Sequence, residues 1–257
     1  MTPTARGILV TGASRGIGRA TAIAFAARGD RVAVHHAHSP DEAETTLGLL
    51  AGSGHVVVRG DLGDAVAARR VVDDAVAGLG TVDVLVNNAA VGPDELNRHR
   101  AGETAFEDWV AAWDAMVRVN LLGAAHAGWA LAHHLIERGA PGAIVNVGSR
   151  GAFRGEPDHP AYAATKAALH ALGQSLAVAL APHGIAVTSV APGFVATERQ
   201  RATLDGPRGP ALRDQSPFGR VGTPDEVAAA IVFLASPEAT WSSGAVLDLN
   251  GASYLRT

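Results

Sequence analysis

The stretch Gly7-Ile8-Leu9-Val10-Thr11-Gly12-Ala13-Ser14-Arg15-Gly16-Ile17-Gly18 joins a short apolar run to a glycine-rich turn. The run 7–10 predicts a buried parallel strand, and the apolar spacing from Ile17 to Arg28 predicts a helix directly after it. Glycines at such a junction let the backbone approach a pyrophosphate, and the helix N-terminus offers free N–H groups. The stretch therefore predicts a dinucleotide-binding α/β fold.

Strand and helix signals alternate along the rest of the chain. Predicted strands follow at 32–35, 56–58, 82–86, 143–147, 185–190 and 245–249. Predicted helices occupy 41–50, 65–77, 108–137, 224–235 and a segment that ends near 181, with irregular loops at 91–107 and 198–216. Because this alternation demands right-handed crossovers, we expect one domain over 1–257 with a Rossmann-type, doubly wound parallel sheet of about seven strands and helices on both faces.

Composition excludes several classes of protein. The chain has 257 residues, 47% of them hydrophobic, which is enough for a sizeable core. A formal net charge of −4 argues against nonspecific binding of nucleic acid or of an anionic membrane surface. The absence of Cys excludes disulfides and thiolate chemistry, and no apolar run has membrane-spanning length. Since the N-terminal residues also lack a signal-peptide core, we expect a cytoplasmic protein.

The segment 160–169, Pro-Ala-Tyr-Ala-Ala-Thr-Lys-Ala-Ala-Leu, contains the only Lys of the chain, Lys166, and one of its two Tyr, Tyr162. A spacing of four residues places both side chains on one helix face, about one turn apart. An ammonium is a compact cation whose field lowers the pKa of a neighbouring phenol, and such a phenol is a useful general acid or base. The pair therefore predicts a catalytic site, although a surface Lys beside a helical Tyr is the alternative for this spacing alone.

Polar or small residues follow the other predicted strands, where ligands bind in doubly wound sheets. Asp61, with Leu62 beside it, follows the third strand, and its carboxylate is placed to accept from an adenine amino group or to cap the next helix. Asn87-Asn88-Ala89-Ala90 follows the fourth strand, where small residues let a cofactor lie against the backbone. The run 192–197, Pro-Gly-Phe-Val-Ala-Thr, follows the sixth, and its last residues are suited to hold a carboxamide.

These motifs, together with Ser149 thirteen positions before Tyr162, closely resemble those of the short-chain dehydrogenase/reductase family, in its short single-domain, 3-oxoacyl reductase-like type. The resemblance covers about residues 6–252. It implies that Tyr162 exchanges a proton with the substrate oxygen and that Lys166 lowers the phenol pKa and holds the nicotinamide ribose. It also implies that Ser149 hydrogen-bonds the substrate oxygen and that Asn120 bends its helix and holds a water of a proton relay. The implied cofactor contacts are Gly12, Ser14, Arg15, Gly16, Ile17, Gly18, His36, His38, Ser39, Asp61, Leu62, Asn88, Ala89, Ala90, Tyr162, Lys166, Pro192, Gly193, Val195 and Thr197.

The residues at the end of the second strand bear on cofactor choice. Members of the family that prefer NAD carry an acid there, but this chain has His35-His36-Ala37-His38-Ser39. Arg15 is placed to meet a 2′-phosphate, with His36, His38 or Ser39 assisting. We therefore expect NADP(H), with NAD(H) as the alternative, and no metal ion, because neither a carboxylate cluster nor a Cys supports the histidines.

The expected activity is that of a carbonyl reductase, interconverting a ketone and a secondary alcohol of a small-molecule substrate. The alternative is a non-catalytic NADP(H) sensor or scaffold on the same fold. Three positions depart from the family pattern: Ala90 stands where Gly is commoner, Gly148 where a second Ser is common, and Val178 near where reductases of carrier-bound acyl groups have an Arg. By resemblance, the helices at 108–137 and 161–181 form the interface of a homotetramer or a homodimer.

Overall fold

The computed structural model describes residues 5–256. Seven parallel strands form one sheet in the order β3-β2-β1-β4-β5-β6-β7. The strands are β1 Gly7–Val10, β2 Arg31–His36, β3 Val56–Arg59, β4 Val84–Asn87, β5 Gly142–Val147, β6 Ile185–Pro192 and β7 Val246–Leu249. The predicted Rossmann-type architecture is confirmed. In the described part of the chain, no helix is long and apolar enough to cross a membrane.

Ten α-helices are found in the described residues, and the longer ones cover the sheet. They are α1 Gly16–Ala26, α2 Pro40–Gly48, α3 Ala65–Leu79, α4 Phe106–Met116, α5 Ala124–Arg138, α6 Gly151–Arg154, α7 Pro160–Leu180, α8 Arg201–Asp205, α9 Gly209–Arg213 and α10 Pro224–Leu234. Successive strand residues point to opposite faces, so β1 sends Val10 toward Phe25 of α1 and Ile231 of α10, and Leu9 toward the cluster of α3 and α5. Two apolar cores result, one on each face.

The structure departs from the sequence prediction most clearly in three segments. The predicted helix 108–137 consists of α4, a π-helical turn at Val117–Gly123, and α5. The loop 198–216 contains α8 and α9, and the loop 91–107 contains a 3₁₀ turn at Glu95–Asn97. Wide turns and single-turn helices depend on tertiary contacts rather than on apolar periodicity, so the sequence pattern does not reveal them.

The order of the strands determines where a ligand fits. The chain winds outward from β1 to β3 and then returns to place β4 on the other side of β1. The connection after β1 runs toward one edge of the sheet, and the connection after β4 runs toward the other edge. This divergence opens a crevice at the carboxyl ends of these two strands. The glycine turn after β1, the Asn-Asn-Ala-Ala turn after β4 and the loops after β5 and β6 surround this crevice.

Candidate active site

The turn after β1 leaves room for a ligand by excluding side chains. Gly12 and Gly16 have φ angles of 63° and 58°, in the left-handed region that favours glycine. A Cβ at Gly18 would lie 2.3 Å from the Gly12 oxygen, so only glycine lets α1 pack against the turn. Ser14 is buried within the turn, while Ile17 is half-buried on α1. The resulting cradle has the backbone shape that a dinucleotide pyrophosphate requires.

Asn88 and Thr11 fasten this turn to the one after β4. The Asn88 amide nitrogen donates to the carbonyls of Thr11 (2.8 Å) and Gly12 (3.0 Å). The Thr11 hydroxyl accepts from the N–H groups of Asn88 (2.9 Å) and Ala89 (3.0 Å). The Asn88 side chain therefore shapes the cradle from within, and half-buried Ala89 and Ala90 border the crevice.

A carboxylate from the loop after β6 lies at the N-terminus of α1. Oε2 of Glu198 accepts from the Gly16 N–H at 2.9 Å, and Oε1 accepts from Arg19 at 3.1 Å. Thr197 lies beside Gly16, where a Cβ would come within 3.2 Å of its methyl group. A helix N-terminus attracts anions, so Glu198 stands in for a phosphate, and the site fits the dinucleotide that the sequence predicts. Glu198 could not be predicted from the sequence, because only the fold brings it to α1.

His35, which was also not among the predicted site residues, connects the end of β2 to the turns after β1 and β3. Its Nδ1 accepts from the Gly12 N–H at 3.0 Å, and its Nε2 lies 2.9 Å from the Gly60 oxygen. These contacts require a neutral ring that is protonated on Nε2. Burial lowers the pKa of His35 to about 4, so the ring stays neutral at physiological pH.

The residues expected to contact a cofactor 2′-phosphate differ in their exposure to solvent. Arg15 and His38 are exposed, and Ser39 precedes α2 without capping it through its side chain. His36 is only 5% exposed, and burial followed by the charge of Arg59 lowers its pKa. Arg59 is its register partner on β3, and this exposed cation was not anticipated from the sequence.

Asp61 lies at the end of β3 but does not cap a helix. Its Oδ1 accepts from the Gly63 N–H at 2.8 Å, whereas Asp64 caps α3 by accepting from the Ala67 N–H at 2.7 Å. The capping alternative for Asp61 is therefore wrong, and Asp61 is exposed at the end of β3. Leu62 is buried against the turn that precedes α5.

Lys166 and Tyr162 lie at the opposite side of the crevice on α7. The Lys166 ammonium is 2% exposed, donates to the Val147 oxygen at 2.8 Å and lies 5.8 Å from the centre of the Tyr162 ring. Burial, followed by the charge of Arg199, lowers the pKa of Lys166 to about 8. Burial raises the pKa of Tyr162, while the Ser149 hydroxyl and Arg199 act in the opposite direction. Desolvation of the phenolate therefore outweighs the interactions that lower the phenol pKa.

Asn120 lies within the π-helical turn that interrupts the long predicted helix. Its Oδ1 accepts from the Val91 N–H at 2.8 Å. Its Nδ2 donates to the Val91 oxygen at 3.1 Å and to the Thr165 hydroxyl at 3.2 Å. The side chain thereby links the turn after β4 to the helix that carries Tyr162.

His99 holds the loop 91–107 against the start of α7. Its Nε2 accepts from the Ala161 N–H at 3.0 Å, while Nδ1 lies 2.6 Å from the Asn97 oxygen. The ring is fully buried and makes edge contacts with Trp109 and His159. His99 thus satisfies a free N–H of the catalytic helix. No local pattern indicated this role, because its partner is 62 residues away.

The loops after β5 and β6 complete the site. Ser149 accepts from the Gly151 N–H at 3.0 Å, and its hydroxyl lies close enough to the phenol to affect its pKa. Pro192 and Val195 are buried, and Gly193 passes so close to Asn250 that a Cβ would lie 2.9 Å from its Cα. The structure therefore brings the predicted catalytic set and the predicted strand-end loops to one edge of the sheet.

Comparison with known proteins agrees with this geometry. A family model described as enoyl-(acyl carrier protein) reductase matches residues 12–251. The chain is 38% identical over 252 residues to the L-rhamnose 1-dehydrogenase (NAD(P)(+)) of Sphingomonas sp., covering 96% of each protein. The chain belongs to the short-chain dehydrogenase/reductase family. It is accordingly an NAD(P)-dependent oxidoreductase that acts on alcohol and carbonyl groups, which sets aside the non-catalytic alternative.

Other members of the family differ in substrate and in cofactor. The D-threitol dehydrogenase of Mycolicibacterium smegmatis is 36% identical over 250 residues, with 96% of this chain and 92% of that protein covered. A short-chain dehydrogenase from Burkholderia cenocepacia, solved with NADP, superposes with a TM-score of 0.83 at 33% identity and 96% and 97% coverage. A 3-ketoacyl-(acyl-carrier-protein) reductase from Brucella melitensis, solved with NADH, gives 0.86 at 31% identity and 97% and 98% coverage.

Proposed function

We propose that this dehydrogenase interconverts a secondary alcohol and a carbonyl on a polyhydroxylated substrate, of the sugar or polyol class, with NADP(H) as its preferred cofactor. The observation that carries the chemistry is the placement of Ser149, Tyr162 and Lys166 at the open end of the glycine cradle. When bound, the nicotinamide supplies or accepts the hydride. The residues of the chain orient the substrate and move the proton.

In the oxidative direction, the Tyr162 phenolate accepts the proton of the substrate hydroxyl. The hydroxyl of Ser149 donates a hydrogen bond to the substrate oxygen and holds it next to the phenol. The ammonium of Lys166, 5.8 Å from the centre of the Tyr162 ring, favours the phenolate electrostatically and so opposes the burial that raises the phenol pKa. In reduction the same phenol donates its proton to the carbonyl oxygen.

Two charged side chains near the phenol support a polar substrate. Arg199 lowers the pKa of Tyr162, whereas Glu156 raises it, so both act on the reacting oxygen. The Arg199 guanidinium crosses the crevice to Gly92, where a Cβ would be 2.4 Å from Nη2. A carboxylate and a guanidinium are suited to bind several hydroxyl groups and unsuited to an acyl chain. The L-rhamnose and D-threitol dehydrogenases among its relatives act on substrates of this kind.

A substrate panel tests this proposal. The panel contains L-rhamnose, D-threitol, other aldoses and polyols, simple aliphatic ketones and a 3-oxoacyl thioester, each with both cofactors. We expect turnover to be fastest with a polyhydroxylated compound, and we expect Glu156→Gln and Arg199→Gln to raise its KM. A preference for the thioester would refute the substrate class.

Substitution of the phenol tests the chemical role. Tyr162→Phe removes only the hydroxyl, so we expect turnover to fall by about 1,000-fold or more while NADPH still binds. Tyr254→Phe is the matched comparison, because it removes a hydroxyl that donates to the Phe153 oxygen outside the crevice, so turnover should fall far less than in Tyr162→Phe. Substantial turnover by Tyr162→Phe would contradict the assigned proton donor.

We also propose that the protein is a homotetramer or a homodimer. Large apolar side chains on the helices named in the sequence prediction are exposed: Val110, Leu122, Trp129, Ile136 and Val178. Light scattering that shows a stable monomer would contradict this assembly. The single-domain organisation and the cytoplasmic location stay predictions, and limited proteolysis tests the former.

A further inference from the structure

His170 is a buried titratable group next to the active site that the proposed chemistry does not use. It lies one helical turn beyond Lys166 on α7, so Tyr162, Lys166 and His170 form a line along one face. Its side chain is only 4% exposed, and neither ring nitrogen has a hydrogen-bond partner within residues 5–256. Buried polar atoms are rarely left unpaired, so the ring calls for a specific explanation.

The ring occupies the space that a side chain at position 148 would need. A Cβ added to Gly148 would lie 2.0 Å from Cε1 and 2.3 Å from Nε2 of His170. The φ angle of Gly148 is not positive, so the requirement for glycine here is steric rather than conformational. Gly148 directly precedes Ser149, and the imidazole therefore lies under the backbone that presents the Ser149 hydroxyl.

A stack of side chains holds the ring from its other side. The Phe153 ring lies nearly parallel to His170, with 5.2 Å between centroids and 13° between planes. The Arg256 guanidinium lies 4.3 Å from the centre of the Phe153 ring, and the Tyr254 hydroxyl donates to the Phe153 oxygen at 3.1 Å. The C-terminal segment thus packs against Phe153, Phe153 packs against His170, and His170 packs against Gly148.

The ring is neutral under physiological conditions. Burial and the charge of Lys166 lower the pKa of His170 to about 4, with a smaller contribution from Arg256. The Ser149 main chain, which lies near the ring without the geometry of a hydrogen bond, and Asp248 act in the opposite direction without reversing it. A neutral ring adds no charge beside Lys166, so its effect on the site is one of shape.

We propose that His170 is a positioning residue, a neutral spacer that fixes the Ser149 backbone relative to Tyr162 and Lys166, and that Gly148 and His170 form a matched pair. This inference rests on the proposed function, since placement of Ser149 matters only if its hydroxyl holds the substrate oxygen. It also explains why this chain has Gly148 where the family commonly has a serine: the imidazole takes the space of that side chain.

Three variants test the pair: Gly148→Ser, His170→Ala and the double variant. Gly148→Ser forces the serine against the ring, so we expect kcat with the best substrate of the panel to fall more than tenfold. NADPH affinity, measured by cofactor fluorescence, should change less than twofold. His170→Ala frees the backbone and should lower kcat several-fold. The double variant gives the serine room and should recover kcat to within about threefold of the wild type. Gly128→Ser is the control, because a Cβ there is 3.7 Å or more from its neighbours.

The outcomes separate this inference from the proposed function. A fully active Gly148→Ser, or a double variant no better than Gly148→Ser, overturns the matched pair. If Gly148→Ser fails to fold, the double variant must fold and turn over substrate, and its failure overturns the proposal as well. An active Tyr162→Phe would instead overturn the proposed function, independently of these variants.

Discussion

The two sides of the crevice are held together in different ways. On the β5 and α7 side, the ammonium of Lys166 is buried and bonded to a strand carbonyl, and Asn120 links two elements through three hydrogen bonds. On the β2 side, Arg15 and His38 extend into solvent. Buried groups of the first kind are fixed by the fold, whereas exposed groups of the second kind can change without disturbing it. Turnover and cofactor choice should therefore be separable by mutation.

Removal of the buried ammonium is the strongest test of this contrast. Lys166→Met should lower kcat by about 1,000-fold, because the phenolate loses its stabilising charge. The native pKa of about 8 lies below the unfolded value of 10.5, so the unfolded state binds more protons between these values. Stability therefore falls as the pH decreases from 10.5 to 8 and stays reduced below that. We expect Lys166→Met to be more stable at pH 7 by about 1–3 kcal/mol.

Activity and denaturant unfolding of the same samples test this trade-off. Leu169→Met is the control, since it introduces the same side chain at a buried position of the same helix. An inactive Lys166→Met that is also less stable than the wild type would show that the ammonium contributes to folding rather than opposing it.

The second test concerns low pH, which should destabilise the β2 side because buried His35 becomes protonated. Its native pKa of about 4 lies below the unfolded value of 6.5, so the unfolded state binds more protons in this window. Stability should therefore fall as the pH decreases from 6.5 to 4, by about 2–3 kcal/mol for this residue. The pKa of His170 is also lowered to about 4. His35→Gln should therefore remove about half of the pH dependence of stability that the two histidines contribute together.

Unfolding free energies measured at several pH values test the assignment to His35. His38→Gln is the control for the loss of an imidazole from the same segment, since His38 is exposed. If His35→Gln keeps the full wild-type slope, the ring does not remain neutral in the native state. The charges that face His35, those of His36 and Asp61, are small influences beside burial.

The third test uses an exposed charge on the β2 side. A 2′-phosphate beside Arg15 gains a charge-assisted hydrogen bond worth about 1.5–3 kcal/mol. Arg15→Ala should weaken NADPH by roughly tenfold and leave NADH and thermal stability almost unchanged. Arg28→Ala, an exposed change just beyond the same helix, is the control. A wild type that prefers NADH, or equal losses for both cofactors, would refute the phosphate assignment.

The fourth and smallest effect is a gain of affinity. The Glu198 carboxylate accepts a hydrogen bond from the Gly16 N–H, which a phosphate oxygen of the cofactor would otherwise accept. Glu198→Gln keeps the shape but removes the charge, so both cofactors should bind a few-fold tighter, by about 0.5–1 kcal/mol. Glu107→Gln on the exposed start of α4 should change neither dissociation constant. Weaker binding by Glu198→Gln would mean that the carboxylate assists the cofactor.

The difference between local patterns and long-range contacts explains which features could be predicted from the sequence. Apolar runs gave all seven strands, and the glycine turn and the Tyr162/Lys166 spacing identified the crevice, because these signals are local. The bonds by which His35, His99 and Glu198 reach other elements join residues at least 23 positions apart and needed the folded chain. The direction of the Tyr162 pKa was also beyond the sequence, since it depends on burial. The π-helical turn remained hidden because helical periodicity continues on both sides of it.

The bond from the Ala161 N–H to His99 has a consequence for protein engineering. A loop that borders the crevice is the natural segment to diversify when a new specificity is sought. Here one residue of that loop also caps the catalytic helix, so random exchange of the whole segment would disturb Tyr162 together with the pocket. Arg100 is also bonded to Asp158 just before α7, so a library that keeps 97–100 constant and varies 101–105 samples new surfaces on an intact helix start.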